Sequence, residues 1–510
     1  MHVPSDHNTL LPGARQTLPP EVVRFFASAF PQTLTLRGPP GAGKTTFALE
    51  VLDHFEGFRG YVTSRVTKAA ISRDHPWIER SGARSIEIVE FLRFRTGSDP
   101  TGLRVGRLRD ALQARASDLV DLSTVLSLPD ELAQALTSGS RDPKLVVVDS
   151  WEAWIENTLG PTPFALDVPT TRWELERSML DLFREAGAHV LLVVEREDRA
   201  RLDYVTDGAL ELTVSAVDGR TERWLAFQKL RGVRVGSATY PFTLDGGRFQ
   251  SFPPVSPEEW TGPIPDQPDP GPGIEGLWPG SLAWAIRFGR LPIPGATLLE
   301  ADGETPGRLL GRVLVPVIAS AIRSGGHVVV RPPAHVTPHD IWRALAQQRR
   351  ETELVAGLRI LSSEPAGTFP EVPEEVVLRS KAEVPLDAAR VMDELESAGF
   401  FRGSLPEHSR SLVVLSTDPP LGTTGGAEAL LTLASLVRQA GDPVATILVT
   451  RAGDPFIESF RARSSLHVLL HASRGQSFLT GIRPWTPHFV LTRSVAADSA
   501  TTPFDLVPIV

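Results

Sequence analysis

Short apolar runs alternate with longer amphipathic stretches through the first half of this chain. Leu34–Leu36, Gly60–Thr63, Ser85–Val89, Leu145–Val148 and Val190–Val194 read as strands. Between them, Thr45–His54, Gly106–Ala116, Pro129–Leu136 and Thr171–Glu185 read as helices. That alternation predicts a mostly parallel sheet flanked by helices. After Val194 the pattern turns strand-rich, over Gly208–Val214, Glu222–Lys229 and Phe242–Phe252, and predicts antiparallel strands at a sheet edge. From about Phe252 to Pro279 the chain is crowded with Pro and Gly, which reads as an extended linker. The alternation then restarts. Thr297-Leu298-Leu299, Gly326–Val330, Ser411–Leu415 and Ala445–Thr450 read as strands, and Leu309–Arg323 as a helix. The order and spacing echo the first half, so the sequence predicts one α/β fold used twice. The expected organisation is an extension over 1–20, a first domain over 21–252, a linker over 253–280 and a second domain over 281–510.

Composition changes this picture little. The chain has 510 residues, 41% hydrophobic and 22% charged, which is ordinary for a globular protein of several domains. Lys and Arg number 52 against 61 Asp and Glu, a net charge of -9, so no global basic field draws nucleic acid. Cysteine is absent, which excludes disulfides, cysteine-zinc sites and thiol catalysis. The first 19 residues lack the apolar core of a signal peptide, and no stretch is long enough to span a membrane. The expected location is the cytoplasm, with no membrane partner.

Chemistry concentrates at Gly38-Pro39-Pro40-Gly41-Ala42-Gly43-Lys44-Thr45, a complete G-x-x-x-x-G-K-[ST] phosphate-binding loop. It follows a strand and opens a helix, as the motif requires. Its glycines let backbone N–H groups, including that of Thr46, converge on phosphates. Lys44 would reach the β- and γ-phosphates, and the Thr45 hydroxyl would ligate Mg²⁺. Asp149 ends the apolar strand Leu145-Val146-Val147-Val148, in the form of a Walker B motif, where its carboxylate would hold the same ion. Lys229-Leu230-Arg231-Gly232 ends a later strand with two cations on one face, either a contact to a γ-phosphate or a solvated edge. Trp151 and Trp154, three apart, read as packing residues.

In the second half, Asp302-Gly303-Glu304-Thr305-Pro306-Gly307-Arg308-Leu309 aligns with the loop. Thr45 becomes Leu309, Gly38 becomes Asp302, and Asp149 becomes Ser416. Each acid facing a polyphosphate costs on the order of 4 kcal/mol before screening. The second copy therefore reads as a domain without a functional loop.

The loop, the Val146–Ser150 strand end, Leu192–Arg196, the Asp207-Gly208 turn and Lys229–Gly232 occur in the order found in KaiC-type ATPases of the RecA superfamily. The duplication also resembles the tandem layout of KaiC. Tyr61-Val62-Thr63-Ser64-Arg65-Val66, followed by Asp74-His75-Pro76-Trp77, is similar to the GvpD gas-vesicle regulators, a branch of that superfamily. The resemblance implies two tandem RecA-like P-loop NTPase domains, the first binding ATP and Mg²⁺. It also implies a homo-oligomer in which Lys229 and Arg231 act in trans on a nucleotide at the subunit interface. One departure stands out. KaiC-type domains carry two glutamates after the second strand, one of which activates water; the matching residues here are Arg65 and Val66. Glu152 and Glu195 are the substitute candidates, and each reads equally as a surface acid. A missing base predicts slow hydrolysis, which suits a nucleotide-controlled switch with a regulatory protein partner. Two alternatives stay open: a recombination accessory ATPase that binds single-stranded DNA, through the Arg-rich segment Arg93–Arg109, and a scaffold whose loop is vestigial.

Overall fold

The computed structural model describes residues 17–79, 86–90, 134, 136, 142–159, 168–195, 200–254, 264–265, 267–271, 274–333, 336–362, 364, 366–379, 388–397, 409–417, 425–439, 443–455, 457–492 and 503–510. The expected helix Gly106–Ala116, nearly all of Pro129–Leu136, and Arg93–Arg109 lie outside them, as does most of the N-terminal extension. The chain divides into two compact units, Gln16–Pro253 and Pro254–Pro508.

The first unit is built on a nine-stranded sheet. Its strands are β1 (Thr33–Arg37), β2 (Phe58–Thr63), β3 (Glu87–Glu90), β4 (Lys144–Asp149), β5 (Ala188–Val193), β6 (Gly208–Val217), β7 (Arg220–Leu230), β8 (Thr239–Thr243) and β9 (Gln250–Ser251). They lie in the order β3-β2-β4-β5-β1-β6-β7-β8-β9. From β3 to β6 every neighbour is parallel, and from β6 onward every pairing is antiparallel. The helices are α1 (Pro20–Phe26), α2 (Lys44–His54), α3 (Lys68–Asp74), α4 (Trp151–Leu159), α5 (Val168–Glu185) and α6 (Ala200–Val205).

The central strands are continuous apolar runs because both sheet faces are covered. Alternation divides β4 between two cores. Leu145 and Val147 join Leu34, Leu36, Phe47 and Leu52 on one face. Val146 and Val148 join Trp151, Trp154 and Phe183 on the other. Trp151 and Trp154 meet edge to face at 5.7 Å and are fully buried.

One expected strand, Phe242–Phe252, is two. The backbone reverses through a 3₁₀ turn at Asp245–Gly247, where Gly246 and Gly247 take φ of 67° and 70°. Phe242 and Phe249 stack at 4.6 Å across that turn, so the apolar pattern records a shared core and not one extended segment.

The second unit repeats the plan. Its strands are β10 (Gly295–Ala301), β11 (Val328–Arg331), β12 (Leu358–Ser362), β13 (Val377–Arg379), β14 (Ser411–Ser416), β15 (Val444–Arg451), β16 (Leu466–Ser473), β17 (Gln476–Arg483), β18 (His488–Thr492) and β19 (Asp505–Pro508). They lie in the order β13-β12-β11-β14-β15-β10-β16-β17-β18-β19. From β12 onward this matches the first sheet strand for strand, with β10 in the place of β1 and β14 in the place of β4. β13 is an extra parallel strand on the outer edge. Both units are thus α/β folds of RecA-like order. Among the described residues, no helix is long and apolar enough to cross a membrane.

Candidate functional site

Four strand ends meet at one edge of the first sheet. β2, β4, β5 and β1 are consecutive and parallel, so the residues following each emerge on the same side. The phosphate-binding loop follows β1 and runs into α2. Gly43 takes a φ of 95°, and a Cβ there would stand 2.9 Å from the Leu244 methyls. A Cβ on Gly38 would stand 2.6 Å from the Leu212 carbonyl oxygen. Only glycine fits either position. Gly41 also has a positive φ, of 76°, and the loop's Ala42 is buried. Pro39 and Pro40 complete the arch, where the Ala42 N–H donates to the Pro39 carbonyl at 3.1 Å. From β7, Arg223 Nη1 donates to the Gly41 carbonyl at 3.1 Å and ties the arch to the sheet.

Lys44 and Thr45 occupy the first turn of α2, and Thr46 is buried behind them. Lys44 Nζ donates to the carbonyls of Gly38 at 2.7 Å and Pro39 at 3.1 Å. Burial holds this ammonium below the ordinary lysine range. The carboxylates of Glu195, Asp149 and Glu152 pull the other way, and Arg65 pushes it lower still. Thr45 Oγ1 donates to Asp149 Oδ2 at 2.7 Å. The two residues singled out as magnesium ligands, 104 positions apart, are therefore in contact. Their donor set, a hydroxyl and a carboxylate, is the hard oxygen chemistry that Mg²⁺ takes.

The same Asp149 oxygen accepts a hydrogen bond from Tyr61 Oη at 2.5 Å. Burial, then the Asp149 charge, push the Tyr61 phenol well above its ordinary value, so it stays a neutral donor. Sequence reading passed over Tyr61 as chemistry. The available signal was a polar-tipped residue in the middle of a strand next to the Asp149 strand.

The two base candidates are placed differently. Glu152, in the first turn of α4, is buried and is not a surface acid. Its Oε1 accepts the Glu195 backbone N–H at 3.1 Å. Glu195, two residues beyond β5, is paired with Arg65, with Nη1 and Oε2 at 2.6 Å.

Lys229 and Arg231 lie away from the loop of their own unit. Lys229 pairs with Ala209, and the Arg231 N–H donates to the Asp207 carbonyl, level with the start of β1. The loop follows the opposite end of that strand. Lys229 Nζ donates to the carbonyls of Asp203 at 2.6 Å and Thr206 at 2.5 Å, across the end of α6. Arg231 is more exposed and lies 4.0 Å from Asp207.

The equivalent segment of the second unit is a closed turn. Five residues separate β10 from the helix Gly307–Arg323, against six between β1 and α2. Asp302 Oδ1 accepts the Thr305 hydroxyl at 2.5 Å, and Oδ2 accepts the Ala472 N–H at 2.8 Å. Asp302 thus bonds the turn to itself and to β16.

The fold order, glycine-shaped loop, Lys44 and Thr45–Asp149 contact together define a P-loop NTPase domain of the RecA type. A family model described as the P-loop domain of the GvpD gas vesicle protein matches residues 22–228, all within the first unit. Protein GvpD2 of Halobacterium salinarum is 29% identical over 275 residues, 52% of this chain and 49% of its own length. Protein GvpD1 of the same organism is 29% identical over 257 residues, 50% of this chain and 43% of its own. The chain spans about half the length of the curated relatives it matches.

Proposed function

We propose that the first unit binds ATP with Mg²⁺ and hydrolyses it slowly, so that the bound nucleotide sets the state of a regulatory switch. The observation that carries this reading is the Thr45–Asp149 contact of 2.7 Å beside Lys44 on an intact loop. Thr45 and Asp149 would hold the metal, whose chemistry is to neutralise charge between the β- and γ-phosphates. Lys44 would add its ammonium to the same oxygens. The loop N–H groups at the start of α2 would orient the phosphates.

Slow turnover follows from where the acids stand. By the resemblance to KaiC-type domains, Arg65 and Val66 stand where those domains carry two glutamates, one of which activates water. Glu152 is committed to a backbone N–H and Glu195 to Arg65. Arg231, out of reach of its own loop, would serve a neighbouring subunit, which makes the working form a homo-oligomer. In the second unit, the turn closed by Asp302 favours a scaffold or a surface for a regulatory protein partner. The matching family model is described as a domain of a gas vesicle protein, and we extend that context to this chain.

The test is nucleotide binding and turnover on wild type and Lys44→Ala, with size-exclusion chromatography with and without ATP and Mg²⁺. Expected are binding lost in Lys44→Ala, turnover below about 1 per second, the low end of the usual enzyme range, and a size change that depends on ATP. A wild type that binds no nucleotide would reduce the loop to a vestige. Fast turnover stimulated by DNA would favour the recombination reading.

A further inference from the structure

Arg65 and Glu195 come from strands on either side of β4. In the sheet register, Thr63 of β2 is level with Asp149, and Asp149 is level with Val193 of β5. Arg65 is two residues past Thr63, and Glu195 two past Val193. Their ion pair of 2.6 Å therefore spans the end of β4, beyond the level of Asp149. Both charges act on the Lys44 ammonium, together with Asp149 and Glu152.

The two ends of this bridge hang from fixed backbone. Thr63 Oγ1 accepts the Val66 N–H at 3.1 Å and donates to the Val66 carbonyl at 2.7 Å, closing a turn around Arg65. The Ser64 N–H donates to the Asp149 carbonyl at 2.9 Å, and the Ser150 N–H to Ser64 Oγ at 3.0 Å. Opposite, the Glu195 N–H is held by buried Glu152. The side chains themselves are solvated, Arg65 at 55% exposure and Glu195 at 32%. An exposed pair of this kind shifts an equilibrium by no more than about fivefold. A fixed base with a weakly held charged tip is the arrangement that lets a polyanion compete for the arginine. Arginine matches phosphate with charge-assisted bonds roughly twice as strong as neutral ones.

We propose that Arg65 is a γ-phosphate sensor: it exchanges Glu195 for the terminal phosphoryl group of a bound nucleoside triphosphate and releases the Glu195 carboxylate at the end of β5. The inference rests on the reading that the first unit binds nucleotide. Discrimination between triphosphate and diphosphate then comes from one arginine with two partners, and needs no hydrolysis.

The test is calorimetric binding of ADP and of a non-hydrolysable ATP analogue, each with Mg²⁺, to the full chain. Arg65→Gln should weaken the triphosphate analogue at least tenfold, the loss of about 1.5 kcal/mol or more of charge-assisted bonding. ADP should change less than about twofold on the same account. Glu195→Gln removes the competitor and should tighten the triphosphate about threefold, within the energy of a surface pair, leaving ADP unchanged. The opposite signs separate sensing from loss of fold. Equal changes for both nucleotides, or an unchanged ratio in both variants, overturn the sensor while Lys44-dependent binding stands. A wild type that binds neither nucleotide overturns the nucleotide reading itself.

Discussion

His189, at the start of β5, is buried, with its ring edge-on to Phe26 and Phe55 at 5.9 and 5.7 Å. Its Nδ1 accepts the Gln32 backbone N–H at 3.1 Å, which requires that nitrogen unprotonated. Burial holds the ring below the ordinary histidine range. Above pH of about 6.5 the ring is neutral folded or unfolded and adds nothing to pH dependence. Below it, the unfolded chain takes the proton first, so stability falls as pH drops towards the folded value, by at most about 1.4 kcal/mol per unit. Urea midpoints at pH 7.5 and 5.5 should separate more in wild type than in His189→Gln. At this scale the sequence was legible where a motif imposes spacing, as for Lys44, Thr45 and Asp149. It was silent on Tyr61, because a strand tyrosine acquires its partner only when β2 and β4 pair. It left Glu152 and Glu195 undecided, because burial of one and pairing of the other depend on that same register.

At the scale of elements, α2 is buried on nearly every side, so its charges need partners inside the fold. Glu50 has no exposed surface. It accepts Arg248 Nε at 2.8 Å, Arg248 Nη2 at 2.7 Å and the Thr17 hydroxyl at 2.6 Å. Arg248 also bonds Asp53 at 2.8 Å and lies over the Trp77 ring at 3.9 Å. Glu50, Asp53 and His54 gather like a metal site by residue type, yet the guanidinium answers the two carboxylates. Arg248→Ala leaves a carboxylate buried without its cation and should cost about 3 kcal/mol. Arg248→Lys should cost less, keeping the charge and losing the fork. Urea unfolding monitored by tryptophan fluorescence measures both. The helix was legible from its apolar run; its anchor was not, since Arg248 lies 198 positions from Glu50. The break between β8 and β9 was hidden for a related reason, as stacking across a turn gives the same apolar pattern as a strand.

At the scale of the molecule, each unit has its own sheet and its own core clusters. Two units of that kind should unfold as separate transitions in scanning calorimetry. Nucleotide at a hundredfold excess over its Kd should stabilise the first by about 2.7 kcal/mol and leave the second in place. A single transition that shifts as a whole would mean that the units unfold together. The duplication was legible because order and spacing survive sequence change. The extra edge strand β13 was not, since its three residues carry no period.

The turn held by Asp302 has a consequence for how the two halves accept mutation. In the first unit, if the loop binds nucleotide as proposed, the positions from Gly38 to Thr45 answer to a ligand as well as to the fold, and Gly38 and Gly43 have backbone angles and close neighbours that disfavour even a methyl group. In the second, the corresponding turn is held by the fold, through one aspartate, one threonine and one backbone N–H. Random substitutions should therefore accumulate freely around Asp302, where Gly303 has open space beside it, and be purged around Lys44. The same chain carries a rigid vocabulary in one half and a permissive one in the other.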